Sequence, residues 1–177
     1  MSLQSDFLTR AVTAARQGGH VFPEMAACEA ALESGWGLSR LARVANNLFG
    51  QKQDHGRNEG IGTLALPTRE YLHGRWMIVD AFWVKFPDWA AAFAGRMEIL
   101  RALSSEFPAY AHALQAANPE QFVQLVSERW STDPERARKV LSIYDEHHLL
   151  LASLAPPSSS NATKSPAVSV SGSSSSA

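Results

Sequence analysis

The chain has 177 residues, enough for one domain with a sizeable core and too few for two comfortable ones. Lys and Arg number 16 against 17 Asp and Glu, a net charge of −1, so no long-range field draws the chain toward nucleic acid or an anionic membrane. No run of about 18 apolar residues is present, so no membrane span is expected; Met1 to Arg10 lacks the basic and apolar regions of a signal peptide, and no export route can be read.

Ser5 is expected to cap a first helix in which Phe7, Leu8, Val12 and Ala15 recur at helical spacing, ending near Gly18-Gly19. Pro23 suits the first turn of a second helix, which runs to about Ser34. The single cysteine, Cys28, sits within it; it excludes an internal disulfide and reads as a buried, inert thiol. Gly35-Trp36-Gly37 interrupts the pattern, and a short helix from Ser39 to Ala45 ends at Asn46-Asn47. Thr63 to Tyr71 and Arg75 to Phe86 mix apolar, aromatic and Thr residues around Leu72-His73-Gly74, which predicts a β-hairpin. Helical periods return in Trp89 to Leu103, Pro108 to Ala117, Pro119 to Trp130 and Pro134 to Leu154. Asn118 and Asp133 precede prolines that mark two helix starts.

At Pro156-Pro157 the composition turns to Ser, Ala, Val and Pro with no aromatic residue, and such a segment cannot bury enough surface to offset its ordering entropy. The expected division is a folded domain over 1–154 and a flexible, Ser-rich tail over 155–177. The expected class is α+β, mostly α, with a small hairpin lobe.

The stretch that points to chemistry is Ala30-Ala31-Leu32-Glu33-Ser34-Gly35-Trp36-Gly37. A carboxyl group closes an alanine-rich helix, and two glycines with a tryptophan follow. Small residues let neighbouring elements approach and would set Glu33 on a largely apolar wall. Burial there disfavours charge on a carboxyl group, which suits a general acid. Glu29 lies one turn earlier, and its like charge would push the same way if the two side chains meet. On residues alone, a surface glutamate with Trp36 as core filler is an equally open reading. His147-His148 are adjacent, so their side chains diverge on a helix; a surface role is expected rather than metal binding. The aromatic run Phe82, Trp83, Phe86 and Trp89 is expected to pack mostly between hairpin and helix, with exposed members free to stack on flat ligands. No phosphate loop, zinc signature or nucleophilic serine motif is present.

Ala31-Leu32-Glu33-Ser34-Gly35-Trp36-Gly37, followed by Ala45-Asn46-Asn47-Leu48-Phe49-Gly50-Gln51-Lys52, resembles the bacterial glucosaminidases of glycoside hydrolase family 73, a family that includes the flagellar peptidoglycan hydrolase and many autolysins. The resemblance covers roughly Ser5 to Leu151 and leaves out the tail. It implies a lysozyme-like helical domain whose β-lobe flanks a glycan cleft, and hydrolysis of the β-1,4 bond between N-acetylglucosamine and N-acetylmuramic acid. Glu33 falls on the family's catalytic glutamate. Within Thr68-Arg69-Glu70-Tyr71, Glu70 matches a second acidic position and Tyr71 joins the implied glycan contacts, with Trp36, Asn47, Phe49 and Trp130. Trp130-Ser131-Thr132-Asp133-Pro134 resembles a further family block, in which Thr132 or Asp133 is also suited to cap the last helix. The chain departs from the family pattern at three places: Trp130 and Arg136 stand where tyrosines are usual, and Glu29 stands where glutamine is common.

The implied enzyme is a peptidoglycan N-acetylglucosaminidase that needs no cofactor or metal. It would act as a monomer on glycan strands at the cell wall, in the periplasm or outside the cell. Two alternatives stay open. One is a lytic transglycosylase or muramidase of the same superfamily, separable by product mass. The other is a non-catalytic wall-binding or assembly module, which would bind without turnover. Whether water is activated by Glu70 or the substrate's acetamido group assists is not decided by sequence. Deletion of residues 156–177 is expected to leave the thermal melting temperature nearly unchanged; a large drop would show that the tail docks on the domain.

Overall fold

Burial in the structure, a computed structural model that describes residues 2–53 and 60–156, is greatest around one helix, α2 (Pro23–Ser34). The side chains of residues 69–72 lie outside the description, as do residues 54–59 and the tail segment 157–177. In α2, Met25, Ala26, Ala27, Cys28, Glu29, Ala30, Ala31 and Ser34 are all buried, so the helix is enclosed nearly all round. Its alanines permit this, because a bare methyl group lets other helices come close on several sides. Helix α1 (Leu3–Gln17) packs on one side through Leu8, Ala11, Val12 and Ala15. Helices α4 (Trp89–Ala102), α6 (Pro119–Trp130), α7 (Arg136–Glu146) and α8 (His148–Leu154) complete the same core with Phe93, Val123, Val140 and Leu151. A second cluster joins α4 and α6 to α5 (Pro108–Ala113) through Met97, Leu100, Tyr110, Phe122 and Val126.

Cys28 is buried as expected; burial raises its pKa, and the charges of Glu29 and Glu24 add to the shift. No helix among the described residues is long and apolar enough to cross a membrane.

The small lobe is the antiparallel hairpin of β1 (Gly62–Leu72) and β2 (Arg75–Lys85). The turn is tighter than the sequence suggested. His73 and Gly74 both have positive φ, 51° and 78°, so a two-residue turn suffices and Leu72 pairs with Arg75. Gln51 to Gln53 run along the far edge of β2, with the Val84 N–H donating to the Gln51 carbonyl and the Gln53 N–H to that of Phe82. The lobe is clipped to the helices after α3 (Arg40–Ala45), where the Phe86 N–H donates to the Ala45 carbonyl at 2.8 Å. Val84 and Phe86 are buried at this junction, while Trp76, Ile78 and Phe82 stay open to solvent on the arm.

Three boundaries differ from expectation. Ser2, not Ser5, caps α1; its hydroxyl accepts the Ser5 N–H. Pro108 starts a helix that ends at Ala113 rather than Ala117. The stretch from Pro134 to Leu154 is two helices: Pro134 and Glu135 form a turn ahead of α7, and His147, at φ −110° and ψ 15°, separates α7 from α8. Neither Thr132 nor Asp133 is the N-cap of α7. That place is held by Glu135, whose N–H donates to the Asp133 carboxylate at 2.9 Å.

Candidate active site

Glu33 occupies the last turn of α2, and the backbone after it turns left-handed for three residues. Gly35, Trp36 and Gly37 have φ values of 57°, 59° and 75°. The Trp36 N–H closes back on the Ala31 carbonyl at 2.8 Å, and the Gly35 N–H on that of Leu32. Ser34 ties the turn from inside. Its buried hydroxyl donates to the Ala30 carbonyl at 2.6 Å and accepts the Gly37 N–H at 2.8 Å. Gly37 suits this turn on two counts, its positive φ and the absence of a Cβ, which would come within 3.1 Å of the Phe7 ring. This turn fixes where α2 stops and therefore where Glu33 sits.

Below Glu33 lies an ion network that runs through α2, α4 and α7. The Arg136 Nε–H donates to Glu33 Oε1 at 2.7 Å, Nη2 donates to Glu29 Oε1 at 3.0 Å, and Nη1 donates to the Ser127 hydroxyl at 2.8 Å. Arg96 Nη2 donates to the same Glu29 oxygen at 2.6 Å. Glu29, Arg96 and Arg136 are buried at 0%, 0% and 1% side-chain exposure, whereas the Glu33 side chain is 22% exposed. Two carboxyl groups thus meet two guanidinium groups. Burial opposes the charge on Arg136, but Glu29 and Glu33 outweigh it and its pKa is raised. For Arg96 burial prevails and lowers the pKa, although Glu29 favours the charged form. The Arg96 guanidinium also lies over two rings, with its carbon 4.5 Å from the centroid of Phe49 and 4.2 Å from that of Trp130. The expected repulsion between Glu29 and Glu33 is not the local arrangement, because Arg136 stands between the two carboxylates.

The remaining sequence candidates scatter around this centre. Trp36 is half-buried, its ring edge-on to Phe7 and to His147. That contact draws His147 off the surface where it was expected, while His148 is exposed as expected. Asn47 is 1% exposed and its amide is committed to backbone: Nδ2 donates to the Gln51 and Val84 carbonyls, and Oδ1 accepts the Gln51 N–H. Its observed part is to clip the lobe to the helical body. Asn46 caps α3 and donates to the Phe86 and Pro87 carbonyls. Phe49 is buried beneath Arg96, packed on Phe93. Glu70 and Tyr71 pair with Met77 and Trp76 in the hairpin, but their side chains are outside the described residues.

A cavity of about 810 Å³ opens beside the network, walled by Ser127, Glu128, Trp130, Thr132 and Asp133 among others. Glu33 is not in its wall; the link between them is the Ser127 hydroxyl on Arg136. The Lys139 ammonium donates to Asp133 Oδ2 at 2.6 Å and the Glu135 N–H donates to Oδ1; both push the Asp133 pKa down.

A mostly helical domain with a small hairpin lobe, and a partly exposed carboxyl group at a helix end, is the lysozyme-like architecture. The likeness is direct for the catalytic domain of the autolysin Auto from Listeria monocytogenes, with a TM-score of 0.72 at 22% identity over 88% of this chain and 89% of that one. The sequence profile of the glucosaminidase family, described as mannosyl-glycoprotein endo-beta-N-acetylglucosaminidase, matches residues 9–149, and the chain belongs to that family. Among curated relatives, the exo-glucosaminidase LytG of Bacillus subtilis is 30% identical over 73% of this chain, and the peptidoglycan hydrolase FlgJ of Escherichia coli is 32% identical over 67%. The chain spans less than half of either, 45% and 37% of their lengths.

Glu29, Trp130 and Arg136, the three residues singled out above as unlike the resembled motifs, belong to the one network. Glu29 and Arg136 are bonded to each other, and Trp130 stacks on the arginine that holds Glu29. Sequence reading missed Arg96 altogether; its only signal was a charged residue on the apolar side of a helix.

The Glu29→Gln variant leaves Arg96 and Arg136 buried without the carboxylate to which both donate. Glu29 Oε2 and Arg96 Nε and Nη1 already have no hydrogen-bond partner among the described residues, so the loss is poorly absorbed. The expected cost is about 3–5 kcal/mol of stability, read from urea unfolding. A change under about 1 kcal/mol would show that the pair carries no structural weight.

Proposed function

We propose that this chain is a peptidoglycan hydrolase, an endo-acting N-acetylglucosaminidase that cuts the β-1,4 bond between N-acetylglucosamine and N-acetylmuramic acid. The observation that carries the reading is the placement of Glu33, a carboxyl group anchored from below and open on one side, in a chain of the glucosaminidase family. Relatives named as an exo-glucosaminidase and a peptidoglycan hydrolase support the substrate class. The protein would act as a monomer at the cell wall, periplasmic or extracellular.

Glu33 is the general acid. Its proton passes to the glycosidic oxygen as the bond to the anomeric carbon breaks, and the leaving sugar departs as a neutral alcohol. Water then bonds to the anomeric carbon and gives up a proton. Glu70, on β1 of the lobe, is the proposed acceptor of that proton. The cavity beside Trp130 falls within the roughly 300–1,000 Å³ of ligand pockets and is the proposed seat for one end of the glycan. Trp36 and Tyr71 are proposed glycan contacts. Phe49 acts from beneath, through Arg96 and Trp130.

The test is turnover of purified peptidoglycan by folded variants. Glu33→Gln is expected to lose at least about a hundredfold in rate, the scale of general acid catalysis, and Glu70→Gln to lose less, since an acetamido group can share the work of a base. Wild-type turnover by Glu33→Gln would remove Glu33 from the mechanism, and full activity of Glu70→Gln would remove the second carboxylate.

A further inference from the structure

We propose that Arg136 is a positioning residue for Glu33 that decides which of its two carboxyl oxygens carries the transferable proton. The inference rests on the reading of Glu33 as general acid. A guanidinium nitrogen carries only N–H donors and cannot accept. In a protonated carboxyl group one oxygen bears the hydrogen and the other is a carbonyl-type acceptor. The Arg136 Nε–H sits on Oε1 at 2.7 Å, so Oε1 has to be the acceptor and the proton resides on Oε2. The bond also stops the carboxyl group from rotating about its own axis, so the oxygen that delivers the proton points one way.

Such a device works only if the guanidinium itself is fixed, and here it is fixed at every nitrogen. Nη2 is bonded to Glu29 and Nη1 to Ser127, and the side chain is 1% exposed. Glu29 is in turn held by Arg96, whose guanidinium rests against the Phe49 and Trp130 rings. Helices α2, α4, α6 and α7 all contribute, so the orientation of one carboxyl group is tied to the packing of four rigid elements. A guanidinium needed only to neutralise buried Glu29 would not require Nε on Glu33, whose side chain is 22% exposed and can meet solvent.

The test compares kcat and KM on solubilised glycan strands for wild type, R136M, R136K, E33Q and the E33Q/R136M double variant, each checked for folding by thermal melt. R136M is expected to lower kcat about tenfold to a hundredfold, the scale of a misplaced catalytic group, with KM changed less than about threefold. R136K should recover part of the loss, since an ammonium donates to Oε1 but without the planar fork. In the E33Q background the R136M change should alter the residual rate by less than about twofold, because the group it positions is gone. Wild-type kcat in R136M, or an equal loss with and without Glu33, overturns the proposal. If R136M does not fold, R136Q, too short to span both carboxylates, is judged by the same two criteria. An inactive E33Q beside a fully active R136M overturns the positioning role alone, whereas a fully active E33Q overturns the general-acid reading beneath it.

Discussion

Glu29 is a carboxylate with no solvent contact, and the architecture of the site follows from what is needed to keep it there. An isolated buried charge of this kind is prohibitive, so two guanidinium groups converge on its Oε1. Arg96 comes from α4 and Arg136 from α7, which fixes the approach of both helices to α2. Glu33, at the rim, accepts the remaining Arg136 N–H. Ion networks of this type seldom add stability over an apolar core of the same volume. Their value here lies in geometry: guanidinium forks and carboxylates tolerate few mutual orientations, so the carboxyl group at the edge inherits a defined direction.

The surrounding fold makes that network possible. Alanines at positions 26, 27, 30 and 31 keep α2 thin enough to be enclosed by α1, α6 and α7. The Ser34 hydroxyl and the left-handed run from Gly35 to Gly37 end the helix one residue past Glu33, so its carboxyl group is neither fully enclosed nor on an open face. The hairpin is joined to this body by short-range clips from Asn46 and Asn47. Motif residues that look like ligands in sequence are thus partly joints of the scaffold.

Much of the helical frame was legible in sequence, because caps and periods are local. Pro23 and Asn118-Pro119 marked helix starts that the structure keeps. Boundaries away from local signals were not legible: α7 and α8 part at His147, whose ring meets Trp36, more than a hundred residues away in sequence. The catalytic candidate was found by motif, but its environment was misjudged. Glu29 and Glu33, four residues apart, read as mutually repelling; the cation that stands between them lies on another helix and leaves no local trace. Asn47 carries the side chain of a sugar ligand and the burial of a core residue, a distinction that spacing does not reveal.

The proposed hydrolase cuts the glycan strand on the N-acetylglucosamine side. Mass spectrometry of the fragments released from purified peptidoglycan tests it most directly. The expected fragments end in reducing N-acetylglucosamine, with one water added per cut. Fragments ending in anhydro-muramic acid or in reducing muramic acid would contradict it, as would binding of the strands with no release at all.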